Sequence, residues 1–307
     1  MENNVSKKLE KINIIGIITR DIPMNMHTTF KTGGNADYYA LPSDYNDIIK
    51  LLKFTRKHSI PVFILGGGAN ILVSDKGIRG LIIDMKNISK VNFQDGICTA
   101  EAGFSISNLA KASAEKNLKG LDFIYGMPGS VGGAVWMNAR CYDTSISDIL
   151  ISVDYLDENI ELQKLEIADI HTNFTYKHSP FQNSNKVILS ASFKLEKGIK
   201  KEIFKKMYMH EKDREAKGHY KYPSAGSVFK NNRSFGKPTG RIIDSLGLKG
   251  YSKGEAEIAL FHGNIIVNKG QATSKDIRTI ISYTQSTVNE KLGLKLEPEI
   301  QFIGDWG

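Results

Sequence analysis

Cysteine is scarce. Cys98 and Cys141 are the only 2 in 307 residues, and they form neither a C-x-x-C pair nor a metal-ligand spacing. That excludes a disulfide scaffold, gives no reason to expect a metal, and suits a reducing compartment, with the cytoplasm the expectation. Long apolar runs are missing too. The stretch 12–18 is broken by Asn13 and Gly16 and has no small-residue cleavage site behind it, so neither a membrane span nor a signal peptide is expected. Repeats and low-complexity segments are absent. A basic arm is also absent: 41 lysines and arginines against 33 acids give a net charge of +8, but the excess is spread along the chain. The charge favours anionic ligands, and phosphate-bearing small molecules fit it. Nucleic acid is not expected, because Tyr208, Tyr220 and Tyr222 sit among lysines without forming a stacking module. There is no Walker A sequence. The Rossmann pattern fails in Gly66-Gly-Gly-Ala-Asn70, where Ile71 holds the last glycine position.

What the chain does have is glycine in two tight groups. In the stretch 126–138, Gly126, Gly129, Gly132, Gly133 and Pro128 fall close together. Glycine reaches backbone angles closed to other residues, and proline fixes its own φ. Successive exposed amides in such a turn make an anion-binding concavity. Two readings stand at this point: a cradle for the pyrophosphate of a nucleotide cofactor, or a tight connection between elements. The second group, 66–70, lies between an apolar strand at 61–65 and another at 71–73, so it offers loop amides and not a helix N-terminus. Arg140 is a candidate phosphate partner, although a loop arginine is more often solvated.

Periodicity supplies the remaining elements. A Thr-rich strand precedes a turn at Gly33-Gly34, and a strand follows at 37–41. A helix begins at Pro42-Ser43 with Ser43 as N-cap and Ile48, Leu51, Leu52 and Thr55 on its apolar face. Strands are expected at 81–84 and 97–102, then a helix capped by Ser105 and running to 117. The region 151–195 is strand-rich, and 187–195 alternates as a half-buried strand. A polar junction at 197–201 leads into a charged helix at 202–217, and a domain boundary is placed there. Short helical and strand segments follow at 241–246, 257–260 and 265–268, then a helix at 273–292. Ser227 sits among small residues. Its hydroxyl is either exposed in a cleft or that of an ordinary β-turn serine, and spacing alone favours the turn, since no His/Asp partner order is legible. A closing strand at 296–304 carries Glu299, for which a solvated face is the ordinary reading.

Five blocks taken in order carry a family resemblance: Thr28-Thr-Phe-Lys-Thr-Gly-Gly34, Leu65-Gly-Gly-Gly-Ala-Asn-Ile-Leu72, the stretch 126–138, Ala225-Gly-Ser-Val-Phe-Lys230 and Leu296-Glu-Pro-Glu-Ile300. Together with Asn264-Ile-Ile-Val-Asn268 they resemble the UDP-N-acetylenolpyruvoylglucosamine reductases, flavoenzymes of bacterial cell-wall precursor synthesis, from about 28 to 304. The chain is similar to the shorter, type II-like variant, with no room for the additional tyrosine loop of the longer one. The resemblance implies an α+β architecture: a vanillyl-alcohol-oxidase-type (PCMH-like) FAD-binding fold of two subdomains plus a C-terminal α+β substrate domain. The corresponding boundaries are 1–27 for an N-terminal extension, 28–197 for the FAD-binding domain with a split near 88–95, and 198–307 for the substrate domain.

The same resemblance implies the chemistry. FAD, held non-covalently, takes hydride from NADPH and passes it to the vinyl carbon of UDP-N-acetylglucosamine enolpyruvate, giving UDP-N-acetylmuramate for peptidoglycan. The implied partner is a UDP-sugar, with no nucleic acid, no membrane and a monomeric state. Ser227 is implied as proton donor, and Glu299 as the group that polarises the substrate carboxylate or relays a proton, in a protonated form that burial favours. Cofactor contacts are implied at Gly66, Gly67, Gly68, Ala69, Asn70, Ile71 and Leu72, and at Gly126, Met127, Pro128, Gly129, Ser130, Gly132, Gly133 and Ala134. Substrate contacts are implied at Tyr176, Lys230 and Asn264. The sequence departs from the family pattern in four places. Lys177 stands where an arginine is usual, keeping the charge without the planar bidentate fork. Ala69 replaces a serine, Asn232 a proline, and Arg140-Cys141 a small Gly-Ala pair.

Overall fold

The computed structural model describes Leu9 and residues 12–307; the rest of the expected N-terminal extension up to position 11 lies outside the described residues. The chain forms two compact units. The first is built from the described residues up to Arg20, then Tyr38–Gly67 and Gly80–Glu211; the second from Asp21–Asp37, Gly68–Arg79 and Lys212–Gly307. This division differs from boundaries at 27/28 and 197/198. The chain changes unit inside the strands Ile17–Pro23, Asn35–Leu41 and Ile78–Asp84, and inside the helix Lys200–Ala216. A composition shift cannot mark a crossing made in mid-element.

In the first unit an antiparallel sheet runs in the order Leu162–Glu166, Leu150–Leu156, Val187–Lys194, Ile97–Glu101, Val91–Gln94. Its centre is Val187–Lys194, registered Ala191 to Ala100 on one side and Ala191 to Val153 on the other. The alternation at 187–195 suggests one wet face, but on that face only Lys194 is exposed and Ser192 is half-buried. Ile188 and Ser190 are buried as well, and the Ser190 hydroxyl donates to Asp154 Oδ2 at 2.7 Å. The short helix Val131–Trp136 packs on this strand. The helix Ile106–Glu115 buries Ile106, Leu109 and Ala110 and is capped by Ser105 as the sequence suggests. A parallel pair sets Val62–Leu65 beside Leu81 to Asp84. The helix Tyr45–Lys57 starts one residue later than Ser43 as N-cap would place it. Asp44 is its N-cap, accepting from the Asp47 amide at 2.8 Å, because Asp44 stands three residues before that amide and Ser43 stands too early to reach it.

In the second unit three short antiparallel strands, Ser252–Lys253, Ala256–Ile258 and Ile266–Asn268, pack under the helix Ser274–Leu292, which buries Ile277, Ile280, Ile281 and Val288. Thr273 and Asp276 form its capping box. A parallel pair joins Ile71–Val73 to Gln301–Ile303. The expected Thr-rich strand at 27–32 is irregular backbone instead. Gly34 lets that segment lie against its neighbour: a Cβ there would meet the Asp75 carbonyl at 2.1 Å, and the Gly34 amide donates to Ser74 O at 2.8 Å. The closing strand is shorter than expected, so Glu299 precedes it and is buried, not solvated. The strand Ile17–Pro23 has no counterpart in the sequence reading. Among the described residues no helix is long and apolar enough to cross a membrane.

Candidate functional site

The stretch 126–138 is half loop and half helix. Gly126 and Gly129 take φ of +77° and +133°, as a glycine turn requires. From Ser130 onward the chain is helical, and Ser130 Oγ caps it by accepting from the Gly133 amide at 3.2 Å. The amides of Val131, Gly132 and Ala134 are bonded to Phe104 O, Ala102 O and Ser130 O. Gly132 and Gly133 therefore spend their amides on the helix and its neighbours, and Gly132 owes its lack of a side chain to packing, since a Cβ would lie 2.9 Å from that of Ala102.

The amides that remain open are in the turns. Among the described residues, the N–H groups of Gly66, Gly67, Gly129 and Ser130 meet no acceptor, although Ser130 itself is buried. The two turns touch backbone to backbone: a Cβ on Gly67 would stand 2.5 Å from Gly129 Cα, and one on Gly66 2.5 Å from Ser130 Oγ. The buried Ser130 amide is costly without an acceptor, and the open amides of two touching turns offer a site that a pyrophosphate oxygen satisfies. The residues present fit a dinucleotide cofactor on that ground. The second half of the first turn is held within the second unit. Gly68, at φ +61°, leaves no space for a Cβ against the His27 carbonyl, and Asn70 donates from Nδ2 to Glu299 O at 3.0 Å. Thr29 Oγ1 donates to Ala69 O at 3.4 Å. Ile71 and Leu72 are buried and paired with Gln301 and Phe302, so their side chains serve the core.

Tyr176 and Lys177 form the two-residue tip of a tight hairpin closed by Thr175 and His178, with Lys177 at φ +58°. The tip is bound to the helix Val131–Trp136 and its continuation. Asn138 Nδ2 donates to Thr175 O at 2.8 Å, and Gln182 Nε2 donates both to Lys177 O at 3.1 Å and to Trp136 O at 2.9 Å. Trp136 Nε1 donates to Phe181 O at 3.1 Å, and Ser179 Oγ to Trp136 O at 2.6 Å. Within the first unit, then, the glycine stretch and the Tyr-Lys tip are one hydrogen-bonded body. The sequence alone assigns no role to Asn138 or Gln182. Asn138 was visible as a polar residue closing a small, apolar stretch, whereas Gln182 carried no signal. Arg140 is turned to Asp143 Oδ1 at 3.1 Å and Ser145 Oγ at 3.2 Å.

The second unit gathers the other expected residues around Ser227–Lys230. The Glu299 amide donates to Val228 O at 2.7 Å and the Lys230 amide to Glu297 O at 2.9 Å. Ser227 bridges Ile265, and Asn264 holds Phe229 through its side-chain amide. Ser227 is half-buried and its hydroxyl has no hydrogen-bond partner among the described residues. Beside it Gly226, at φ +70°, has nothing within 4 Å of where a Cβ would be. Lys230 Nζ pairs with Glu297 Oε1 at 2.6 Å. Glu299, far away in sequence, is thus bonded through its amide to Val228, the residue that follows Ser227.

The α+β scaffold carries open amides at two glycine turns, and the FAD binding domain profile matches residues 36–166, which makes the chain an FAD-binding flavoprotein. A second profile, that of the UDP-N-acetylenolpyruvoylglucosamine reductase C-terminal domain, matches 218–303. The chain is 45% identical to the Treponema denticola UDP-N-acetylenolpyruvoylglucosamine reductase, with 93% of each chain covered. It is 39% identical to the Borreliella burgdorferi one, with 99% of each covered. The crystal structure of the Thermus caldophilus UDP-N-acetylenolpyruvylglucosamine reductase superposes with a TM-score of 0.79 at 29% identity, over 94% of this chain and 100% of that one. The chain belongs to the UDP-N-acetylenolpyruvoylglucosamine reductase family.

Proposed function

We propose that this chain performs the reaction of its family, the FAD-dependent reduction of UDP-N-acetylglucosamine enolpyruvate to UDP-N-acetylmuramate in peptidoglycan precursor synthesis. When bound, FAD supplies the hydride added to the enolpyruvyl double bond, having taken it from NADPH. The chain's own residues hold the ligands and deliver the proton. The open amides of Gly66, Gly67, Gly129 and Ser130 would take the cofactor pyrophosphate. Ser227 gives a proton from its hydroxyl to the carbon bearing the carboxylate. A serine hydroxyl is a weak acid, so the step needs charge stabilisation at the substrate's developing enediolate. Lys177 is the cation for that charge and Glu299 the buried carboxyl for its oxygen. Tyr176 and Lys230 contact the UDP-sugar, and Lys230 must leave Glu297 to do so.

The observation that carries this reading is the hydrogen bond from the Glu299 amide to Val228 O, which sets Glu299 beside the Ser227 segment. The test is an anaerobic single turnover. The flavin is reduced with NADPH, UDP-N-acetylglucosamine enolpyruvate is added, and flavin absorbance is followed. Rapid reoxidation by this substrate and not by UDP-N-acetylglucosamine is the expected result; reduction without reoxidation overturns the substrate assignment.

A further inference from the structure

The residues 227–230 lie outside any regular strand, yet the amides of Val228, Phe229 and Lys230 are all bonded, and from two sides. On one side are Glu297 and Glu299. On the other is Asn264, whose carbonyl accepts from the Val228 amide at 2.9 Å. Its side chain takes the next residue: Oδ1 accepts from the Phe229 amide at 2.9 Å and Nδ2 donates to Phe229 O at 2.8 Å. A peptide group needs a donor and an acceptor here, and a short carboxamide carries both in the geometry of a neighbouring strand. Asn264 is only 2% exposed, and its own amide is fixed by donating to His262 Nδ1 at 3.1 Å. The side chain is therefore turned to the Phe229 backbone, in a position that sets where Ser227, two residues earlier, places its hydroxyl.

We infer that Asn264 is a positioning residue for proton delivery by Ser227, and not a substrate contact. The inference rests on Ser227 being the proton donor. Positioning predicts a particular split between the two half-reactions. Hydride uptake from NADPH does not involve Ser227, whereas protonation of the substrate does. Misplacing a reacting group by about an ångström costs on the order of a hundredfold in rate.

The test uses the FAD-loaded full chain with Asn264→Ala, which removes both bonds, and Asn264→Asp, which keeps the size and the acceptor for Phe229 N–H. Stopped-flow absorbance follows flavin reduction by NADPH and reoxidation by UDP-N-acetylglucosamine enolpyruvate. The expected result is reduction within about twofold of wild type, substrate affinity within about threefold, and a limiting reoxidation rate lower by about tenfold to a hundredfold with a larger solvent deuterium isotope effect. Faster hydrogen exchange in the peptide spanning 227–230 should accompany it. A retained limiting rate with substrate affinity about tenfold weaker would make Asn264 a substrate contact and overturn the inference. So would a parallel fall of both half-reactions and of Tm, or lost rate with unchanged exchange at 227–230. If Asn264→Ala does not fold, Asn264→Asp decides by the same readouts. Failure of the functional reading shows separately, as wild type that the substrate does not reoxidise.

Discussion

Lys177 tests how much geometry the reaction needs. It keeps the charge of the family's arginine but presents a point charge on a flexible stem, from a left-handed backbone position at the tip of a hairpin. Gln182 fixes the Lys177 carbonyl, so the backbone is held whatever the side chain does. Lys177→Arg is expected to leave kcat and kcat/KM unchanged or lower; a large rise in turnover would show that the lysine is a handicap, which steady-state kinetics decides. Lys177→Gly separates charge from backbone. Relief of the left-handed conformation and the added freedom of the unfolded chain each amount to about 1 kcal/mol with opposite signs, so Tm should move little while turnover collapses. A large fall in Tm would mean that the Lys177 side chain is structural.

Between the two glycine turns, element packing sets the limits. Gly67 faces the Gly129 backbone with no room for a methyl group, and relief would require one turn to move away from the other. Gly67→Ala should therefore yield protein with its sheet intact by circular dichroism but without yellow absorbance. The control is Gly293→Ala at the end of the helix Ser274–Leu292, where φ is +67° and the space for a Cβ is open. That substitution should cost about 1 kcal/mol of stability and keep the flavin. Flavin retained at wild-type occupancy in Gly67→Ala would remove the turns from the cofactor site. Legibility at this scale was uneven. Glycine spacing announced both turns, but not that Gly132 and Gly133 belong to a helix, since their role is set by Ala102 and Ser130, which lie elsewhere in sequence or act as a cap.

At the scale of the whole molecule, burial of two histidines among basic residues makes stability sensitive to acid. In the second unit His219 and His262 face each other with ring centroids 6.1 Å apart. Burial, then the charges of Arg214 and Lys217 and the neighbouring His262, push His219 from its ordinary 6.5 down to about 4. Burial with Lys217, Arg241 and Lys249 lowers His262 too. Both imidazoles are thus held neutral in the folded state, while the unfolded chain takes up protons below its ordinary pKa. Stability from this source is complete above about pH 6.5 and is lost as pH falls from there toward about 4. Thermal denaturation between pH 8 and pH 5 should show Tm falling below about 6.5, and His219→Asn should flatten that fall. An unchanged slope in His219→Asn would assign the acid sensitivity to other groups.

The sequence by itself determined the chemistry available: two glycine turns of the right kind, a serine among small residues, a late glutamate, a lysine where the family has an arginine, and the helices whose apolar stripes are local. Those features depend on residue type and short spacing, which are written along the chain. Only the tertiary structure decided which of them are neighbours and which are already committed. Asn264, which the family resemblance implies as a substrate contact, lies ahead of a strand in sequence, and only the fold sets its side chain against Phe229. Glu299 reads as a strand-face residue until the strand is seen to begin at Gln301 and its amide to hold Val228. Four of the five crossings between units fall inside strands and a helix, where composition carries no sign of them, and the fifth falls in the glycine turn between Gly67 and Gly68. In each case the partner lies far along the chain, and hydrogen bonds and burial between distant residues leave no local periodicity to read.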